Sequence, residues 1–167
     1  MEPRPVRESQ ATLVRWMGIT DANSAGFVHG GTVMKLCDEA AGIVAIKHSR
    51  LRAVTAAIDR MTFMHPVYVG ELLTCKASVN AVWRSSMEVG VRVEAENPRT
   101  GEVRHTSTAY LTMVALDDDG QPTPAPPLLA ETEAEKRRQR EAETRRRHRL
   151  EERDEIVATR AGSDSAV

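Results

Sequence analysis

The sequence predicts an α+β domain in which one antiparallel sheet curls around a single buried helix. Three observations predict it. Residues 31–48 are apolar nearly all round a helical repeat; two later segments alternate apolar and polar residues; and apolar patterning stops near Leu116. A helix with apolar residues on every side belongs in an interior. Alternation with a period of two marks strands with one face buried.

In chain order, residues 13–19 form a short candidate strand. The helix over residues 31–48 carries Val33, Met34, Leu36, Cys37, Ala40, Ala41, Ile43, Val44 and Ile46. A glycine-containing polar entry precedes it, and Lys47, His48 and Arg50 follow, where positive charge suits a helix C-terminus. Leu73, Cys75, Ala77, Val79, Ala81 and Trp83 alternate with polar residues, as do Met87, Val89, Val91, Val93 and Ala95. Arg84-Ser85-Ser86 and the stretch from Asn97 to Gly101 supply turns. Residues 54–64 and 103–115 read as further strands with weaker alternation. The sum is one strand, one helix, then four strands in a meander. Such a sheet covers the helix on one side, and its open face calls for a partner, a second copy being the obvious one.

The globular domain is expected over residues 1–128 and a charged tail over 129–167. The boundary follows Asp117-Asp118-Asp119-Gly120 and the prolines at 122, 124, 126 and 127. In the tail, Glu133/Arg137, Glu141/Arg145 and Glu143/Arg147 are acid-first i,i+4 pairs, which favour a solvated helix. It is expected to run to about residue 155 and give way to disorder. Ala134, Ala142 and Leu150 make too thin an apolar stripe to pack on much.

The chain holds 23 Lys+Arg against 24 Asp+Glu, so no basic excess points to nucleic acid. The triplet Arg145-Arg146-Arg147 is interleaved with glutamates and lacks aromatics, which fits a solvated helix better than an RNA or membrane contact. The polar N-terminus, with Arg4 and Arg7, predicts no secretory leader. No apolar run reaches the roughly 18–20 residues of a membrane span. Cys37 and Cys75 form no C-x-x-C pair and read as small core residues in a reducing compartment, so cytoplasm is expected.

The segment from Asp21 to Glu39 is where chemistry is expected. Gly30 and Gly31 at a helix start leave backbone N–H groups bare and admit a ligand closely. Such groups suit a carbonyl oxygen that becomes negative during acyl transfer. About two turns on, Asp38 and Glu39 interrupt an apolar helix, and a carboxylate there must be paired, protonated or used. Tight packing at the glycines and an interface salt bridge at the acid are the bland readings of the same residues. A Ser24/His29/Asp38 triad lacks a G-x-S-x-G elbow. His29, Cys37 and Asp38 lack metal-ligand spacing, so no metal is expected.

The run Asp21-Ala-Asn23-x-x-Gly26-x-Val-His29-Gly30-Gly31-x-x-Met34-Lys35-Leu-x-Asp38-Glu39-x-Ala-Gly42 closely resembles the acyl-CoA thioesterase family that includes the cytosolic, brain-type acyl-CoA hydrolases. Ser85-Ser86-Met87-Glu88-Val89 is similar to that family's Ser-Met-Glu-Val turn and strand. The resemblance covers residues 10–128, and the Pro-Pro stretch with a charged helix is similar to the tail of some members.

It implies a hotdog fold, a dimer whose sheets join, and a trimer of dimers, hence a homohexamer. In two-domain relatives one hotdog supplies the active-site Asn and its partner the Asp, which implies a site shared between Asn23 of one subunit and Asp38 of another. The implied mechanism is hydrolysis of acyl-CoA to free fatty acid and CoA. Asp38 acts as general base, or as nucleophile; Asn23 positions water or carbonyl; Gly30 and Gly31 polarise the thioester. No cofactor is needed, coenzyme A being part of the substrate. His29, Arg84, Ser85, Ser86 and Arg104 are candidates for CoA contacts, and Glu39 is assigned to support. His65-Pro66 is similar to the His-Pro of hotdog dehydratases but lacks their second acid.

Two competing functions are an acyl-CoA sensor without hydrolysis, for which no DNA-binding unit is present, and a hotdog hydratase or dehydratase. A third is an interaction protein using the tail. Fatty acid metabolism is the expected setting.

Overall fold

The computed structural model describes residues 1–164, of which 161–164 by backbone alone. The chain order is β1 (Arg4–Pro5), a 3₁₀ turn, β2 (Ala11–Trp16), a second 3₁₀ turn, α1 (Gly30–Ser49), β3 (Arg52–Ile58), β4 (Leu72–Val82), β5 (Ser86–Glu96), β6 (Val103–Leu116), β7 (Leu128–Leu129) and α2 (Glu133–Asp164). Five antiparallel strands make one sheet in the order β2-β4-β5-β6-β3. The short β1 pairs in parallel with β7, tying the two ends of the domain together.

The predicted helix is present, but of the four strands after it only β4, β5 and β6 form a meander; β3 pairs with β6 at the far edge instead of with β4. The alternating residues do what their spacing requires. Leu73, Cys75, Ala77 and Val79 of β4, with Met87, Val89, Val91 and Val93 of β5, face α1 and are buried. From the other side Val33, Leu36, Cys37, Ala40, Ala41, Val44 and Ala45 of α1 close this core. Cys37 and Cys75 are both free and buried. A hydrogen bond to the Cys75 sulfur, with burial, pushes the Cys37 thiol well up, so it stays protonated and unreactive.

The all-round apolar helix is covered on one face only within a single chain. Met34, Ile43 and Ile46 point away from the sheet and stay 38–48% exposed. β3 lies at a sheet edge and is equally bare, with Val54 and Ile58 exposed. β3 is also shorter than the predicted 54–64. Its ladder with β6 ends at Ile58, and the chain then leaves for the start of α1.

The tail differs most from expectation. Helix α2 does pack on the sheet, on the face opposite α1, and it runs beyond residue 155 through Asp164; the disorder expected at 165–167 lies outside the described residues. Its N-terminus is fixed by a capping box, in which Glu135 N–H donates to Thr132 Oγ1 at 3.2 Å and Thr132 N–H to Glu135 Oε2 at 3.0 Å. Its docking is polar rather than apolar. Glu88, fully buried, alternates with the core residues of β5 and so faces outward, where Arg145 grips it (Nη2 to Oε1 2.7 Å, Nε to Oε2 3.1 Å). The Arg145 guanidinium lies 3.7 Å from the Tyr110 ring centre, Arg146 lies 4.7 Å from that of Trp83, and Ala142 is buried. Burial alone would lower the Arg145 group, but the Glu88 hydrogen bonds and charge outweigh it and push it up. This is why the expected Glu141/Arg145 pair does not form: the arginine is spent on the sheet.

Candidate active site

The loop before α1 is built around Asp21, which is buried. Its carboxylate takes Arg15 Nη2 and Gly18 N–H, both at 2.8 Å, and its carbonyl takes His29 N–H at 2.7 Å. The loop returns on itself through an Ala22–Val28 bridge and Gly26, whose φ of 84° suits a residue without a side chain. At its tip, Asn23 Oδ1 accepts from Ala25 N–H (2.9 Å) and Phe27 N–H (3.2 Å). The oxygen is thus spent inside the turn. The Nδ2 donor is left without a partner among the described residues.

At the helix start, His29 is the N-cap and its Nδ1 accepts from Gly31 N–H at 2.8 Å. The expectation of two bare N–H groups is therefore corrected at Gly31, because the preceding histidine satisfies it. Gly30 N–H has no partner among the described residues. A side chain at Gly30 would meet the Phe63 ring, since a Cβ would lie 3.3 Å from Phe63 Cζ.

Asp38 sits half-buried on the flank of α1, beside the edge strand β3. The Thr55 hydroxyl on β3 donates to its Oδ1, and Oδ2 has no partner among the described residues. Thr55 was not foreseen, for no local pattern singles it out on its strand. Glu39 forms an exposed i,i+4 pair with Lys35 at 3.9 Å.

Asn23, His29 and Gly30 thus share one end of the domain, and Asp38 does not join them. With a rise of 1.5 Å per residue, Asp38 lies about 10 Å along the axis from Gly31. No hydrogen bond joins Asn23 to Asp38 among the described residues.

The candidate CoA contacts also separate. Arg104 lies near the loop end but is already engaged: its Nη2 binds Glu71 Oε1 (2.8 Å) and Oε2 (2.9 Å), and its guanidinium covers Tyr68 at 5.5 Å. Glu71 is buried, so this ion pair holds the arginine in place and leaves it less free to meet a phosphate. Arg84, Ser85 and Ser86 form the β4–β5 turn at the other end of the sheet, about 30 Å away by strand length. There, backbone bonds from Ala125 N–H to Arg84 O (2.9 Å) and Ala115 N–H to Ser85 O (2.8 Å) fix the turn. The Arg84 side chain is exposed. His65-Pro66 lies in an exposed loop. Among the described residues no three His, Cys, Asp or Glu side chains come together as a metal-binding set, and no helix is long and apolar enough to cross a membrane.

Comparison with known proteins places this geometry in context. The sequence pattern of the Thioesterase superfamily matches residues 25–102. The chain is 38% identical over 139 residues to the cytosolic acyl coenzyme A thioester hydrolase of Rattus norvegicus, covering 82% of this chain but 36% of that protein. The chain thus spans about a third of the length of that mammalian relative. It is 37% identical over 134 residues to the uncharacterized acyl-CoA thioester hydrolase YkhA of Bacillus subtilis, covering 80% and 78%. An apo-hexameric acyl-CoA thioesterase superposes with a TM-score of 0.88 at 38% identity, covering 91% and 97%. An acyl-CoA hydrolase from Staphylococcus aureus, in complex with butyryl coenzyme A, coenzyme A and coenzyme A disulfide, gives 0.86 at 33% identity, covering 93% and 95%. Variants of the Staphylococcus enzyme replace an asparagine, an aspartate and a threonine by alanine, 15 and 17 residues apart in that order along its chain.

Proposed function

The chain belongs to the hotdog-fold thioesterase superfamily, and from that premise we propose that it is an enzyme hydrolysing acyl-CoA to free fatty acid and coenzyme A. The observation that carries the proposal is the Asp38 carboxylate: one oxygen is fixed by Thr55, the other has no partner among the described residues, and the group stands half-buried between α1 and the edge strand β3. The three residue types replaced in the Staphylococcus enzyme recur here as Asn23, Asp38 and Thr55, at the same spacings of 15 and 17 residues, which supports the reading.

The distance along α1 argues for a shared site. A thioester carbonyl at the Gly30 N–H is out of reach of Asp38 of the same chain, so a second copy supplies the acid. Exposed Val54, Ile58, Met34 and Ile43 offer the surface through which two copies join. We take the dimer as the minimal unit and a trimer of dimers, a homohexamer, as the assembly; the hexameric relative supports it.

In that site Asn23 Nδ2 and Gly30 N–H donate to the carbonyl oxygen. Asp38 Oδ2 takes a proton from water as the water oxygen bonds to the carbonyl carbon. The tetrahedral adduct collapses with cleavage of the carbon–sulfur bond, and the proton passes to the departing CoA sulfur. A thiolate leaves readily, so one base and two donors suffice and no cofactor enters. His29 and the 84–86 turn remain the proposed CoA contacts, the latter reached from a neighbouring subunit. Cytoplasmic fatty acid metabolism is the proposed setting, supported by the cytosolic relatives.

The test is release of free CoA from acetyl- to palmitoyl-CoA by wild type, Asp38→Ala and Asn23→Ala. Each variant alone is expected to lose at least about a hundredfold in kcat. Mixed under subunit exchange, the two are expected to regain part of it, because some dimers then hold one intact site. Full activity in Asp38→Ala overturns the mechanism; no turnover by wild type on any chain length overturns the function.

A further inference from the structure

We infer that Arg149, on the C-terminal helix, is a positioning residue for the thioester site, acting through Asp59 and Phe63 on the start of α1. The inference rests on the hydrolase reading for its kinetics and on geometry for the rest. Asp59 is the residue at which the chain leaves β3. Its N–H still bonds Tyr110 O at 2.9 Å, while its carboxylate Oδ2 takes Arg149 Nη1 at 2.7 Å. Both side chains are largely covered, 16% and 24% exposed. Arg149 is held in turn by the fully buried Glu88, 3.5 Å from its Oε2.

From that anchor the segment runs to Met64, whose N–H bonds Thr106 O at 2.9 Å. Phe63 lies between the two fixings, with its ring against Gly30, the residue whose free N–H faces the carbonyl. The ring thus fills the place a side chain would take and shields one side of that donor from water. Six residues pinned at both ends have little room to drift. Without Arg149 the segment keeps only its backbone bonds, Asp59 N–H to Tyr110 O and Met64 N–H to Thr106 O, and the ring above Gly30 is held less firmly. A shift of about 1 Å at such a site costs on the order of a hundredfold in rate.

The link is separable from docking of α2 as a whole. That helix is held one turn earlier by Arg145 on Glu88 and Tyr110, Arg146 on Trp83, and Glu143 accepting from Trp83 Nε1 at 3.2 Å. Removing Arg149 therefore loosens the 59–64 segment at its Asp59 end while α2 stays on the sheet. The neighbouring Arg60–Glu152 pair, 3.3 Å apart and 92% and 59% exposed, adds little by comparison.

The experiment compares Arg149→Leu, Asp59→Ala, the double variant, Arg149→Lys and Arg146→Ala by acyl-CoA hydrolysis and by amide hydrogen exchange. Each single change at Arg149 or Asp59 to an apolar residue is expected to lower kcat about tenfold or more with a smaller change in KM. The double variant falls no further, because the two act as one link. Arg149→Lys keeps most of the activity, and Arg146→Ala keeps all of it. Amides of 59–64 and of the first turn of α1 exchange faster in Arg149→Leu, while those of 135–146 are unchanged. Additive losses, wild-type kcat in Arg149→Leu, or faster exchange confined to α2 overturn the inference. A wild type without hydrolase activity sinks the hydrolase reading instead, and exchange at 59–64 then decides the link alone.

Discussion

At Asp38 the Thr55 hydroxyl binds one carboxylate oxygen, and the other, the base of the proposed reaction, has no partner among the described residues. Thr55→Val keeps the shape of the strand and removes that donor, so kcat is expected to fall about tenfold with KM nearly constant, read by steady-state hydrolysis. His48 is the other residue with a measurable consequence. It is fully buried at the end of α1; its Nε2 donates to Pro126 O at 3.0 Å, and its Nδ1 lies 3.5 Å from the Ser9 hydroxyl. Burial pushes the imidazole below its ordinary 6.5, against the hydrogen bond at Pro126, with Arg4 lowering it further and Glu8 opposing. Below 6.5 the unfolded chain takes up a proton that folded His48 refuses. The stability it contributes is therefore complete above that pH and is lost as pH falls toward the folded value. A urea midpoint that drops from pH 7 to pH 5, with a smaller drop in His48→Gln, is the expected outcome. Asn23 and Asp38 were legible as candidates because the run around them is contiguous. Thr55 and the Glu71 pairing of Arg104 were not, since the partner in each case, Asp38 or Glu71, is distant in sequence and adjacent only in the fold.

The same division appears in the elements. Periodicity exposed α1, β4 and β5 because each buries one face in the same core. It overran β3, whose ladder with β6 stops at Ile58: Asp59 turns its side chain to Arg149, and the chain touches β6 again only through single backbone bonds at Asp59 and Met64. It undervalued α2 because a stripe of Arg138, Ala142, Arg145 and Arg149 looks solvated when scored by hydrophobicity. The buried surface it meets is Glu88, Tyr110 and Trp83, which wants cations and not methyl groups. The signal that was present, Thr132-x-x-Glu135, marks where the helix begins but not where it lies. Breaking a buried pair costs far more than never having had it. Arg145→Met is accordingly expected to destabilise the fold by about 3 kcal/mol, while the double change Glu88→Leu with Arg145→Met recovers most of that loss. Chemical denaturation of the single and double variants checks both.

For the molecule as a whole, the edge strand β3 leaves Val54 and Ile58 exposed and α1 leaves Met34, Ile43 and Ile46 exposed. Val54 is 47% exposed on that edge. Val54→Lys is expected to shift the protein toward monomer by light scattering and to reduce turnover in parallel, although Val54 is assigned no chemical role. The expected joining of sheets came from the resemblance; patterning alone pointed to a second copy on the open face but not to how it joins.

The length of α1 between Gly31 and Asp38 has a kinetic consequence. If no lone chain can bring its own acid to its own donors, catalysis is a property of pairs. At high concentration the rate is first order in protein; on dilution below the dissociation constant of the pair it becomes second order, and the turnover per chain is no longer a constant. The cell then sets activity by abundance twice over, once through the number of chains and again through the fraction that have met.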